Sequence, residues 1–245
     1  MELGEGFALS ELRIRFIRSE GVKYISHLDI MKVFERAVRR AEIKIAYSKG
    51  FNPHPHIVFG LPMGVGLSSF SEFADIFLDE TMEPEIFIEK INRELPEGVK
   101  VLDAKVKTAK GNIMSQIEAA SYEVSVRKSH NYDDILYQAK LKEFLAKDTI
   151  MFLKENKSGK RVIDIKPLIL EVEVKSSEAD DRVVFHMLLK AGQNGNVKPE
   201  QVIECFKECS DLQIEIISTV RTALFTQLGG KLDNPMDDRI LLQLG

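Results

Sequence analysis

Leu12-Arg13-Ile14-Arg15-Phe16-Ile17-Arg18 alternates apolar and basic residues for most of its length, the period of a strand with one buried and one wet face. The period then changes. Ser26 stands at an N-cap position with Asp29 three residues on, and Leu28, Met31, Phe34, Val38 and Ala41 recur at helical spacing, which predicts a helix from His27 to Ala41. Lys32, Arg36, Arg39 and Arg40 fall largely off that apolar stripe and should face water or a partner. Lys44 to Ser48 reads as a short strand, and Gly50-Phe51-Asn52-Pro53-His54-Pro55 as a loop. Ile57-Val58-Phe59 continues a strand, the glycine-rich stretch from Gly60 to Gly66 breaks it, and Glu72 to Leu78 forms the next. Pro84 opens a second helix that stops before Pro96, and Val99 to Val106 supplies the last strand.

The second half repeats this order approximately. Tyr122 to Val126 is a predicted strand and Asp133 to Ala146 a helix, and Ile150 to Leu153 with Arg161 to Ile165 forms a hairpin turning at Ser158-Gly159. Arg182 to Leu189 is the next strand, Pro199 to Cys209 a helix and Leu212 to Val220 the closing strand, while Lys166 to Ser177 is left over as an extra strand. Strand, helix, strand, strand, helix, strand is the ferredoxin-like unit. The expected class is α+β, with two tandem ferredoxin-like (βαββαβ) halves and antiparallel sheets. Residues 1–110 would form the first domain, 120–225 the second and 226–245 a C-terminal tail, with the linker between Lys107 and Ser121.

Composition narrows the class. A chain of 245 residues with 44% hydrophobic content can bury a large core. Its first residues lack the basic-then-apolar order of a signal peptide, and no apolar run reaches bilayer length, so a cytoplasmic protein is expected. Two cysteines, Cys205 and Cys209, fit a reducing compartment. A net charge of −4 excludes a protein that coats nucleic acid indiscriminately. From Leu12 to Gly50, however, ten basic residues face four acidic ones.

Chemistry-bearing residues gather in the same region. His27, at the first turn of the first helix, could act as general acid in metal-independent RNA cleavage with Tyr24 or Lys23 in support; the favoured alternative is a local capping or packing histidine, since the helix N-terminus lowers its affinity for a proton. His54 and His56 lie two apart in a proline-restrained loop. Two ligands do not complete a metal sphere, so no metal site is predicted, and a rigid loop shaped by Tyr47, Phe51 and Asn52 is the better reading, with a stacking surface for a ligand. Gly60, Gly64 and Gly66 match no phosphate-loop spacing and read as a strand connection that needs unusual dihedrals. Cys205 and Cys209 share a helix face and pack as small apolar residues. Arg36, Arg39, Arg40 and Lys49 could join Lys154, Lys157, Lys160, Arg161 and Lys166 in a phosphate-binding surface, the alternative being an ordinary solvated face.

Tyr24-Ile25-Ser26-His27-Leu28-Asp29, Phe34-Glu35-Arg36-Ala37 with Arg39-Arg40-Ala41, Ala46-Tyr47-Ser48-Lys49-Gly50-Phe51-Asn52-Pro53-His54-Pro55, Phe59-Gly60 and Pro62-Met63-Gly64-Val65-Gly66 together resemble the radical-SAM-linked protein family. The match is dense over Leu12 to Leu78 and thinner beyond, where Lys160-Arg161-Val162-Ile163-Asp164-Ile165-Lys166-Pro167 still looks like the family's second-half hairpin. The resemblance implies a bacterial companion of a radical SAM enzyme and supplies no established reaction. A radical SAM core holds its cluster with a C-x3-C-x2-C loop, whereas this chain has only Cys205-x3-Cys209, so no cofactor is expected. Tandem ferredoxin-like halves also resemble, in topology alone, the RAMP superfamily of RNA-binding proteins and ribonucleases.

Three functions follow as expectations. The first is a non-catalytic RNA-binding or substrate-presenting module that acts with a radical SAM enzyme on RNA or a ribonucleoprotein. The second is a metal-independent ribonuclease using His27. The third is a protein-interaction scaffold docking the radical SAM partner through the loops between Gly50 and Gly66.

Overall fold

A computed structural model describes residues 10–128, 133–156, 159–176 and 181–242. Residues up to Ile117, together with those from Leu224 onward, form one compact unit, and Glu118–Ala223 form a second. Unit 1 opens with β1 (Ser10–Arg18), a 3-10 turn (Glu20–Val22), α1 (His27–Arg40), β2 (Ile57–Phe59), β3 (Leu67–Leu78), α2 (Pro84–Glu94), β4 (Val99–Val106) and the short α3 (Ile113–Gln116). After β5 (Ile117–Arg127), unit 2 carries α4 (Asp134–Leu145), β6 (Met151–Asn156), β7 (Gly159–Asp164), β8 (Ile169–Ser176), β9 (Arg182–Lys190) and α5 (Pro199–Ser210). β10 (Glu215–Leu228) begins in unit 2 and ends in unit 1, where β11 (Lys231–Asp233) and α6 (Asp238–Leu241) follow. The class is α+β. Among the described residues no helix is long and apolar enough to cross a membrane.

In unit 1 the strand order is β4-β1-β3, with β2 on β3, and these pairs are antiparallel. Leu12, Ile14 and Phe16 alternate into a core closed by Ile30, Phe34, Ala37 and Val38 of α1 and by Phe87 and Ile91 of α2. Phe16, Phe34 and Phe59 meet edge to face with ring centres 4.9 to 5.9 Å apart, the geometry that aromatic quadrupoles prefer. The stripe that buries α1 is therefore not the one expected. Its core residues start at Ile30, and Leu28 is 66% exposed.

The other face of β1 differs more sharply from a wet face, because Arg13 is buried there. Arg13 sits directly across from Asp75 in the β1–β3 register and forks onto it, Nε to Oδ1 at 2.7 Å and Nη2 to Oδ2 at 3.0 Å. Asp75 also accepts from the Ile113 amide at 2.7 Å, and Arg13 Nη1 reaches the Pro235 carbonyl at 3.2 Å. Lys105 holds the Met236 carbonyl and Asp238, and the amides of Thr108 and Ala109 donate to the Leu241 carbonyl. The returning C-terminal segment thus covers this face. Burial is tolerable because charge and hydrogen-bond capacity are matched in place. Arg18 Nη2 donates to the Ile25 carbonyl at 2.7 Å, which anchors the approach to α1.

One turn shows how little slack the unit has. Gly98 adopts φ +91°, and a Cβ there would lie 2.7 Å from Ser19 Oγ and 2.8 Å from Val22 Cγ1. Gly98→Ala combines left-handed strain with a clash and is expected to cost about 2 kcal/mol, read as a lowered midpoint in urea unfolding.

In unit 2 the strand order is β10-β5-β9-β8, and β6-β7 form a separate two-stranded sheet. This corrects the sequence reading, which gave the hairpin a place in the repeat and left Lys166 to Ser177 as extra. β8 belongs to the main sheet, antiparallel to β9. Val172 and Val174 are buried between the exposed Glu171, Glu173 and Lys175, whereas Lys160, Arg161 and Val162 on β7 are all exposed and give that strand nothing to bury. Tyr137, Phe144, Phe185 and Phe206 form the aromatic centre of this unit's core.

Candidate functional site

Ser26 caps α1 by accepting from the Asp29 amide at 3.2 Å and donating its hydroxyl to Asp29 Oδ2 at 2.7 Å. The helix then shows two working faces. Ile30, Phe34, Ala37 and Val38 enter the core, while Leu28, Met31, Lys32 and Glu35, spaced i, i+3, i+4, i+7, line an open pocket of about 430 Å³. The opposite wall is Ser48, His54, Pro55, His56, Ile57 and Phe59.

That wall is held by backbone pairing around Ala46 to His56. The Ala46 amide donates to the Phe77 carbonyl, the His56 amide to Ala46 and the Phe77 amide to His56. The expected strand at Lys44 to Ser48 is reduced to isolated bridges, Ile45 with Leu78 and Tyr47 with Pro55; a proline has no amide to extend a ladder. Ser48 closes the neck of the loop, its amide donating to the His54 carbonyl at 2.9 Å and its hydroxyl accepting from the His54 amide at 3.1 Å. Beyond that neck Lys49, Phe51 and Asn52 are exposed, and the Phe51 ring lies wholly in water. His56 stacks flat on Phe77, ring centres 3.8 Å apart at 8°, so its ring plane is fixed at the pocket wall.

The three residues considered for RNA cleavage have defined surroundings. His27 sets its ring edge to face with Phe59 at 5.6 Å. Lys23 is paired with Glu20, which raises its proton affinity above that of an ordinary lysine, and its ammonium lies 5.2 Å from the centre of the Tyr24 ring. Lys23 is thereby kept as a cation, suited to contacting an anion and not to accepting a proton. Tyr24 itself is 73% exposed.

The basic residues separate into engaged and available ones. Arg40 donates to the Glu94 carboxylate at 2.8 Å and to the Glu94 carbonyl. Lys166 donates to the Leu145 carbonyl at the end of α4, where a cation meets the negative end of the helix. Lys32 is shared with Asp29 at 3.3 Å. Arg36, Arg39 and Lys49 are exposed, with no ion pair among the described residues. In unit 2, Lys154 lies directly opposite Arg161 across the β6–β7 hairpin, with Lys160 paired to Glu155 in register. Two like charges facing each other cost stability unless an anion sits between them. Lys157 lies outside the described residues.

Other sequence candidates have structural roles. The amides of Gly60 and Gly66 donate to the carbonyls of Phe73 and Lys23, so they are not available to cradle an anion. Gly66 adopts φ +94°, a conformation that side chains oppose. Cys205 is buried, its thiol pushed up to about 11 chiefly by that burial, while Cys209 is exposed beside the Lys147 ammonium at 3.0 Å. Among the described residues no cluster of three or more His, Cys, Asp or Glu side chains could hold a metal ion. The pocket itself escaped the sequence reading, although the spacing of Leu28, Met31, Lys32 and Glu35 marks a second face on α1.

Fold and site define an α+β protein with an open, mostly apolar pocket whose polar lining is Lys32, Glu35, Ser48, His54 and His56. The chain belongs to the bacterial family DUF2344, described as an uncharacterized protein conserved in bacteria, whose model matches residues 11–199. None of the curated proteins matches it. Among solved structures, a chain in the crystal structure of a Cbf5-Nop10-Gar1 complex has a similar fold, with a TM-score of 0.50 at 9% identity. The likeness covers 87% of this chain and 48% of that one, so this chain spans about half the length of that neighbour.

Proposed function

We propose that the chain is a non-catalytic RNA-binding module that presents single-stranded RNA to a radical SAM partner, with unit 1 as the binding platform. The observation that carries this reading is the exposure of three rings, Tyr24 just before α1 and Tyr47 and Phe51 in the loop whose Ser48 and His54 face α1 across the pocket, with Lys23 over Tyr24 and with Lys49 and the cations of α1 exposed in the same segments. Water-exposed rings interleaved with cations suit stacked bases and a tracked phosphate backbone. The opposed Lys154 and Arg161 of the unit 2 hairpin offer a further phosphate contact. The order of elements in each unit supports reading both as ferredoxin-like variants, with the β6–β7 hairpin as an insertion in the second. The radical SAM partner rests only on the family resemblance, dense over residues 12–78 and thinner at 160–167.

Titration of labelled single-stranded RNA over a salt series tests the reading. Each neutralised phosphate contributes roughly −0.7 to the slope of log K against log salt, so Arg36, Arg39 and Lys49 alone should give about −2. The triple variant Arg36→Glu, Arg39→Glu, Lys49→Glu should weaken binding sharply and flatten the slope by about 2. A further flattening of the slope in Lys154→Glu/Arg161→Glu would place both basic groups on one RNA. No binding of the wild type at low salt would sink the proposal and favour the docking scaffold, for which the Phe51 ring is the natural anchor.

A further inference from the structure

The pocket beneath this surface has a composition more selective than stacking requires. Its walls are Leu28, Met31, Pro55, Ile57 and Phe59, a lining suited to a flat aromatic body, and its volume of about 430 Å³ lies in the range of small-ligand sites. Polar groups are few. Lys32 already contacts Asp29, Ser48 Oγ already accepts from the His54 amide, and the His56 ring is stacked on Phe77. Glu35 differs from these. It is only partly exposed, it lines the pocket, and its carboxylate has no hydrogen bond or ion pair among the described residues. The other acidic residue of α1, Asp29, is fully engaged with Ser26 and Lys32, which lower its proton affinity.

An ionised carboxylate only accepts hydrogen bonds, and it accepts best from two adjacent donors in one plane. Among the RNA bases, guanine alone presents two such donors on one edge, N1–H beside N2–H. Adenine and cytosine offer one amine flanked by an acceptor nitrogen, and uracil one N–H between two carbonyls, so each would set a lone pair against Glu35. We infer that this pocket takes a guanine base, its Watson–Crick edge donating to Glu35 and its faces held between the Leu28/Met31 side of α1 and the Pro55–Ile57 wall. This rests on the RNA reading and adds base specificity to it.

The test is competition binding with short oligouridylates carrying one central guanosine, adenosine or no purine, and separately with guanosine monophosphate. A matched bidentate contact discriminates by about 1–3 kcal/mol, so the guanosine oligomer should bind roughly tenfold or more tighter than the others. Glu35→Gln should erase most of that preference and move adenosine toward parity, because a carboxamide both donates and accepts. Glu35→Ala should remove the preference for the guanosine oligomer over the adenosine one. Equal binding of all oligomers overturns the guanine inference and leaves the RNA reading standing. If the oligomers fail but guanosine monophosphate binds and Glu35→Gln abolishes it, the pocket inference holds and the RNA reading falls; failure of both ligands overturns both.

Discussion

Asp75→Ala is expected to destabilise the protein by about 3–5 kcal/mol, the loss typical of removing one partner from a buried ion pair. Arg13 and Asp75 are both fully buried, and their bidentate contact is not isolated. Asp75 also satisfies the Ile113 amide, and Arg13 holds the Pro235 carbonyl. Removing the carboxylate strands a guanidinium on the covered face of the sheet and orphans a buried amide. Urea unfolding should show a large fall in midpoint. The double variant Arg13→Met/Asp75→Leu should recover the part of the loss that comes from the stranded guanidinium, while the Ile113 amide and Pro235 carbonyl stay unpaired. A single variant as stable as wild type would mean that water reaches this pair.

Tyr47→Ala and Phe51→Ala should each weaken single-stranded RNA binding by about 1–3 kcal/mol if each ring stacks a base. Both side chains are exposed and Phe51 has lost no surface to the fold, so the thermal midpoint should stay within a degree or two of wild type. Affinity and stability therefore separate cleanly. A drop in stability together with affinity would mean that the loop packs against something other than RNA.

The boundaries of α1 were legible because the Ser26 cap is a local signal, written within a few residues. Its core face was not, since Leu28/Met31/Phe34/Val38 and Ile30/Phe34/Ala37/Val38 are both helical-period readings of one segment, and only the sheet beneath decides between them. Arg13 was unreadable for a different reason: its partner lies 62 residues away and its cover 222. Alternation correctly predicts a strand, but wetness depends on what the rest of the chain lays over it. β8 shows the converse. Its Glu-Val-Glu-Val-Lys pattern was sufficient to place it in a sheet, yet the hairpin before it met the same local criteria and took its place in the repeat. Proline and glycine made the loop from Gly50 to Pro55 legible in sequence, whereas the meeting of Ser48, His54 and His56 with Leu28, Met31 and Glu35 required the backbone pairing of Ala46, His56 and Phe77.

The most direct test of the RNA platform is ultraviolet crosslinking of the bound oligomer followed by peptide mapping. Adducts on peptides spanning Tyr24 to Arg36 and Tyr47 to Phe59 are the result this account predicts. Adducts confined to unit 2, or none from a complex shown to be bound, would contradict it.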